Sequence, residues 1–480
     1  MDFAFLPIVI IIVFALVTPI LSYLTQRRFK GKIVACWSII GLTSSLIITL
    51  WEAWAGVETR FLYGNIIVVD SFSIFFSIIF ITVATLVAIA SYEYMSRDSN
   101  QGEYYTLLLL ATTGMMFAAF ASDLLVLYLA LQLMSFSTYI MVSLRKKDPR
   151  SNEAAVKYFI VSALASALIL YAISLIFGAV GSINIYTIAT ALSSGKSSSQ
   201  PITFLAVVLF IAGIGLEMAV VPFHMWIPDT YEGAPTTVTA LLAGGSKMAG
   251  FAAGLRIFFV ALIMLKSSWS IIFALLALFT MTLGNVAALA QTRIARMLAY
   301  SSIAQAGYIL IGLATVNSTG LTGYLMQILN YSIMTSAAFL AAALAAHSVS
   351  AYTLDDYSGL SKRLPITSFA FTMTLFSLAG IPPLCGFIGK LILFTSALQT
   401  NLWWLALAGV LNSAFSLGYY IRVIKRMYID SPKVAGLRKV SEPIQFKIVF
   451  IVTTFLILLL GIYPTIALNF VNVAISNIKL

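Results

Sequence analysis

Runs of about twenty apolar residues follow one another along this chain from one end to the other, and that feature leaves few folds open. A helix needs about 20 such residues to cross the ~30 Å hydrocarbon core of a bilayer. Of the 480 residues, 61% are hydrophobic and 9% charged, with mean hydropathy +1.00; a soluble chain of this length would divide into a few domains. Fourteen candidate helices can be placed, over 3–24, 33–54, 70–93, 104–121, 123–144, 153–178, 203–226, 234–264, 269–290, 297–315, 322–346, 366–396, 402–427 and 446–472. The reading is an all-α polytopic membrane protein, since lipid offers backbone groups no partner outside a helix or a closed barrel. The first segment is too long for a cleaved signal peptide, and no small-residue cleavage site follows it. Cys36 and Cys385 fall in separate apolar helices and support neither a disulfide framework nor a metal site.

The formal charge of +11 is unevenly distributed. Arg27, Arg28, Lys30 and Lys32 follow helix 1, and Arg145, Lys146, Lys147 and Arg150 follow helix 5. Arg293 and Arg296 follow helix 9, Lys362 and Arg363 follow helix 11, and Arg422, Lys425, Arg426, Lys433, Arg438 and Lys439 surround the end of helix 13. The alternate loops hold little beyond Arg60, Lys196 and Lys266. This is the positive-inside pattern, which predicts both termini outside. The basic balance reports topology, and no nucleic-acid partner is expected. The longest polar stretches are 193–201, 347–365 and 428–445.

Against this background three charges stand out. Glu217, Lys247 and Lys390 lie deep within apolar segments, GIGLEMAVVPF, LAGGSKMAGFA and CGFIGKLILF. A charge at the bilayer centre costs roughly 2.5–3.5 kcal/mol on insertion scales, and such groups mark ion or proton paths. Two helices also carry mid-span breakers: Pro222 in helix 7 and Pro382–Pro383 in helix 12. Proline removes a backbone donor, which is tolerated at membrane depth only where protein or water covers the freed groups. Paired broken helices in corresponding positions point to an ion site in inverted-repeat transporters. Helices 4–8 and 9–13 form two such five-helix halves, with opposite starting sides because five is odd. The expected division is 1–103 (helices 1–3), 104–264 (first repeat), 265–427 (second repeat) and 428–480 (internal loop and helix 14).

Several strings are specific. HMWIPDTYEGAPTTVTALLAGGSKMAGF, NEAAVKYFIVSALASALILY, ARMLAYSSIAQAGYILIGLA and LAGIPPLCGFIGKLILF resemble the antiporter-like membrane subunits of respiratory complex I. PDTYEGAPTTVT followed by SKMAGF resembles the N-type subunit. The resemblance covers roughly residues 70–427. It implies proton translocation driven by redox chemistry elsewhere, in the cell membrane of a prokaryote. It also implies a membrane arm with two larger antiporter-like subunits and small helical subunits, and a hydrophilic redox arm. Quinone, flavin and iron–sulfur clusters are then expected in partner chains and none in this one, which carries no nucleotide fingerprint and no cluster-ligating cysteine set. The enzymatic role so implied is that of a subunit of a quinone-reducing translocase without a redox site of its own. A subunit of a multisubunit cation/proton antiporter or membrane-bound hydrogenase is the alternative, and a structural spacer is a third.

The family's buried chain has a glutamate on helix 5 and lysines on helices 7, 8 and 12. Lys247 matches the helix 8 lysine through GGSKMAGF, and Lys390 the helix 12 lysine through GFIGK. At the helix 5 and helix 7 positions this chain has Gln132 and Glu217 instead. Gln132 can orient water but cannot hold a proton. Glu217 and Lys247 are therefore expected to form a pair that toggles the lysine; the plainer alternative is a static pair in a degenerate channel, and the alternative geometry turns Glu217 away from Lys247 with water bridging through Gln132. For Lys390 the plainer alternative is a lysine snorkelling to a headgroup. His224 is seven residues from Glu217, on one helical face if Pro222 does not disturb the turn, and is either a proton-wire member or a structural donor near the break. Gln305 is expected to order water, Arg256 to be a structural ion pair or loop anchor, His347 to be interfacial, and Lys157 and Arg145 to set topology. Tyr308 and Tyr331 carry no specific signal.

Overall fold

The computed structural model describes residues 5–25, 31–96, 98, 100–195, 201–431 and 440–475. Arg27, Arg28, Lys30, Lys196, Lys433, Arg438 and Lys439 of the charge pattern lie outside the described residues. Among those described, twelve helices are long and apolar enough to cross a membrane. Gln101–Phe120 and the two-part segment from Pro365 to Gln399 complete the expected fourteen.

The spans are α1 (Leu6–Thr25), α2 (Lys32–Ala55), α3 (Ser71–Tyr94), α4 (Gln101–Phe120), α5 (Leu124–Val142) and α6 (Pro149–Val180). Next come α7a (Pro201–Met218) with α7b (Trp226–Gly233), α8 (Thr236–Ala261), α9 (Lys266–Leu289), α10 (Ile294–Thr315) and α11 (Ser318–Val349). The series ends with α12a (Pro365–Ala379), α12b (Cys385–Gln399), α13 (Trp403–Tyr428), α14a (Ile444–Ile462) and α14b (Pro464–Ile475). Local chemistry sets several starts. Asp70 accepts from Ser73 N and closes a capping box on α3, Asp123 caps α5, Asp148 caps α6 ahead of Pro149, and Asn317 caps α11.

The core is an inner set of helices ringed by lipid-facing ones. The apolar windows of α8 and α11 are wholly buried and that of α10 is 94% buried, whereas α1 is only 22% buried. Outer helices present bare apolar side chains, such as Trp54 on α2 and Ile451 on α14a. That is the expected surface for a chain sitting in hydrocarbon.

Both proline sites break their helices. α7 stops at Met218 and resumes at Trp226 around Pro222, ending at Gly233 rather than near 226, and α12 stops at Ala379 and resumes at Cys385. A third interruption, at Tyr463 before Pro464, divides the segment read as a single helix over 446–472. The 347–365 segment is not wholly irregular: it holds short turns at Leu354–Tyr357 and Leu360–Arg363. One end of the bundle carries a two-stranded hairpin, β1 (Arg60–Leu62) with β2 (Ile67–Val69), and a short surface helix, Ile185–Ser193, neither evident from hydropathy. At the opposite end Tyr94, Arg145, Glu232, Arg293, His347 and Tyr352 line a polar cavity of about 370 Å³.

Candidate functional site

The break in α12 builds a cation-holding pocket. The last carbonyls of a helix lack intrahelical donors and carry the negative end of its dipole. Lys390, on α12b, reaches back to them: its Nζ donates to the Leu378 carbonyl at 2.9 Å, the Ala379 carbonyl at 3.2 Å and Ser413 Oγ at 3.1 Å. It lies 4.5 Å from the Tyr308 ring centroid, and Tyr308 OH accepts from Asn285 Nδ2. Lys390 is 3% exposed. It serves the break and does not snorkel.

Gly380 makes this possible. Its φ is +87°, and a Cβ there would lie 3.2 Å from Lys390 Cδ and 3.4 Å from Nζ. Gly380→Ala should cost about 1–2 kcal/mol of backbone strain and press on the lysine. The thermal unfolding midpoint of the purified protein should then fall. An unchanged midpoint would show that the approach of Lys390 to these carbonyls is unimportant.

Lys247 is held in a similar manner by α10. It follows a wide π-helical turn, Leu242–Ser246, and its Nζ donates to the Ser302 carbonyl at 2.7 Å and Ser302 Oγ at 3.0 Å. Ser302 Oγ is 2.7 Å from Tyr331 OH, and the Tyr331 ring centroid is 5.8 Å from the ammonium. One turn further along α10, Gln305 Nε2 donates to the Leu378 carbonyl at 2.9 Å, while its Oε1 accepts from Gln327 at 3.1 Å. Leu378 thus receives both Gln305 and Lys390. A single turn of α10 joins the two lysines.

Glu217 stands differently from the expected pairing. Among the described residues it makes no ion pair with Lys247 within 4.0 Å. The reason is that the Lys247 ammonium is drawn to α10, while Glu217 sits at the end of α7a with Gly250 packed on its backbone. Tyr139 and Tyr158 lie within electrostatic reach of the carboxyl. Glu217 itself is half-buried. Gln132 donates to Ser166 Oγ on α6 at 2.8 Å.

His224 falls in the unwound segment, so the shared helical face with Glu217 does not exist. It is buried and its Nδ1 has no hydrogen-bond partner. The freed groups at this break find other partners: Val221 N donates to Thr280 Oγ1 at 3.0 Å, and Trp226 Nε1 to the Leu216 carbonyl at 3.3 Å. Pro222 therefore opens the ladder without leaving these groups bare.

Several of the other charges are paired. Arg256 is paired with Asp70 through two 2.8 Å contacts, as an ion-pair reading of it requires. Lys157 pairs with Glu153 and Asp229, Arg296 with Asp229 and Glu232, and Arg293 with Glu232. His347 is exposed at the bundle end. Among the described residues no group of three or more His, Cys, Asp or Glu side chains could hold a metal ion. Sequence reasoning passed over Ser302, Gln327, Ser413 and Gly380. Only the last had a signal, its place in AGIPP; serines in apolar helices look alike until packing selects one.

A family model described as NADH:quinone oxidoreductase/Mrp antiporter, TM, matches residues 121–416. The chain is 42% identical over 412 residues to F(420)H(2) dehydrogenase subunit N of Methanosarcina mazei, covering 84% of this chain and 83% of that one. It is 39% identical to NADH-quinone oxidoreductase subunit N of Trichlorobacter lovleyi, over 98% and 96% of the two chains. Among solved structures it is similar to a chain of respiratory complex I from Thermus thermophilus, with TM-score 0.81, 30% identity and coverage of 96% and 98%. A chain of the Mrp complex from a Dietzia species shares the fold, with TM-score 0.89 at 21% identity and coverage of 100% and 98%. This chain belongs to the family of membrane subunits shared by NADH:quinone oxidoreductases and Mrp antiporters.

Proposed function

We propose that this chain is the N-type membrane-arm subunit of a complex I-like quinone oxidoreductase, and that it carries protons through Glu217, Lys247 and Lys390. The observation that carries the reading is the bridged pair of lysines: two buried ammonium groups, Lys247 on a serine hydroxyl and one backbone carbonyl and Lys390 on a serine hydroxyl and two, linked through Ser302, Gln305 and Leu378. An ion-moving role explains why two such charges remain in a bundle otherwise built to exclude them.

Glu217 acts at the first-half end of this path. Tyr158, close to Ser246 beside Lys247, lies on the intervening route, and Gln132 and His224 orient water rather than pair with the acid. Buried side-chain atoms without protein partners, including His224 Nδ1, Ser332 Oγ and Gln327 Oε1, mark where ordered water would complete it. The halves 104–264 and 265–427 act as inverted repeats with breaks at Pro222 and Pro382–Pro383, and the basic loops face the cytoplasm of a prokaryotic cell, leaving both termini outside. Redox cofactors and quinone belong to partner chains: two larger antiporter-like subunits, small helical subunits and a hydrophilic arm.

The test is proton pumping by the assembled complex after Glu217→Gln and, separately, after Gln132→Glu combined with Glu217→Lys. The single change should impair pumping at retained quinone reduction. The double change, which recreates the family arrangement, should recover much of it. If Glu217→Gln pumps normally, the relocated acid is ornamental and any path runs on Lys247 and Lys390 alone.

A further inference from the structure

The half-helix that feeds carbonyls to Lys390 is held at its other end by a buried acid. Glu442, in the segment leading into α14a, is 5% exposed. Its Oε1 accepts from Ile366 N at 3.0 Å, and its Oε2 accepts from Thr367 N at 2.8 Å and Thr367 Oγ1 at 2.6 Å. These donors are the first free amides of α12a, the place where a helix favours a carboxylate. Next to it, Val440 N donates to the Arg363 carbonyl at 3.0 Å. α12a supplies no side-chain cap of its own; Leu364 occupies the cap position and Pro365 follows. The cap comes instead from 76 residues downstream.

At the far end the Leu378 and Ala379 carbonyls hold the Lys390 ammonium. The 15 residues of α12a span about 22 Å at the usual rise. A carboxylate on the positive end and an ammonium on the negative end thus grip one short rod. Its axial position is set by Glu442, because the break leaves the other end free of a continuing helix.

We propose that Glu442 is a positioning residue for Lys390: by fixing α12a along its axis it fixes the carbonyls that hold the relay ammonium, and it ties that position to α14. The inference rests on the proposed relay role of Lys390. A disturbance of α14a, whose Ile444, Ile448 and Ile451 are bare on the bundle surface, would reach the lysine along this rod.

The experiment compares Glu442→Ala, Glu442→Gln, Lys390→Met and the Glu442→Ala/Lys390→Met double variant in the assembled complex, reading quinone reduction and proton pumping together. Glu442→Ala should lower pumping roughly two- to fivefold at unchanged electron transfer, the range of a helix-end charge. Glu442→Gln, which keeps one acceptor oxygen, should fall between it and the wild type. The double variant should be no worse than Lys390→Met, because the two act on one element. If Glu442→Ala does not assemble, Glu442→Gln carries the comparison, alone and with Lys390→Met. The inference is overturned if the losses add in the double variant, if pumping falls only in proportion to quinone reduction, or if the Glu442 variants pump normally. Loss in Lys390→Met with normal Glu442 variants removes this inference and leaves the relay. Normal pumping by Lys390→Met removes both.

Discussion

Arg256→Met should leave little assembled complex in the membrane. Arg256 and Asp70 are each 2% exposed, and two nitrogens of the guanidinium meet the two carboxylate oxygens at 2.8 Å. The same group donates to the Ala119 carbonyl and to Tyr186 OH, and lies 4.4 Å from the Phe72 ring centroid. It therefore joins α8 to the start of α3, the end of α4 and the short surface helix. Removing one partner of such a pair strands the other charge and costs about 3–5 kcal/mol, comparable to the margin on which a folded chain depends. Asp70 must also keep capping α3. Pairing Arg256→Met with Asp70→Asn removes the stranded charge and retains a capping side chain, so most of the assembled complex should return. Native-gel abundance and thermal denaturation of the purified complex read this directly. Wild-type abundance of the Arg256→Met complex would mean that the bundle end holds without the pair.

Under the proposed relay, Lys247→Met should abolish the contribution of this chain to pumping while quinone reduction continues. Methionine spares the roughly 2.5–3.5 kcal/mol insertion cost of a central lysine, so the variant should enter the membrane at least as readily. The group left behind is the Ser302 carbonyl with its hydroxyl, and the hydroxyl still has Tyr331. The loss of one hydrogen bond is a matter of about 1 kcal/mol, too little to unfold the chain. A drop in protons per quinone therefore reports the charge itself. A full ratio from Lys247→Met vesicles would exclude Lys247 from the path.

How legible this molecule is from its letters depends on range. Apolar runs located all fourteen spans, because lipid imposes the same length on each, and Pro222 and Pro382–Pro383 marked real breaks. The third break escaped because Tyr463–Pro464 sits near the end of an apolar run and was absorbed into it. Hydropathy passed over Ile185–Ser193, a nine-residue surface helix too short to register as a span. The identities of Lys247 and Lys390 were readable, but their partners were not. Ser302 is 55 positions from Lys247, Asp70 is 186 from Arg256, and nothing local selects them. The expected Glu217–Lys247 contact failed for the same reason: proximity was inferred from the family's arrangement, while α10 offered the ammonium a nearer carbonyl.

α11 has a consequence for anyone redesigning this chain. Within five positions it presents Gln327 to Gln305, Asn330 to the Cys385 carbonyl at the α12 break, and Tyr331 to Ser302 beneath Lys247. It works as a camshaft, with lobes for both lysines cut on one rod. Any slide or roll that retimes one retimes the other, so neither half can be tuned by itself through this helix. Independent adjustment has to be sought on α8 or α13, where each lysine's surroundings are separately owned.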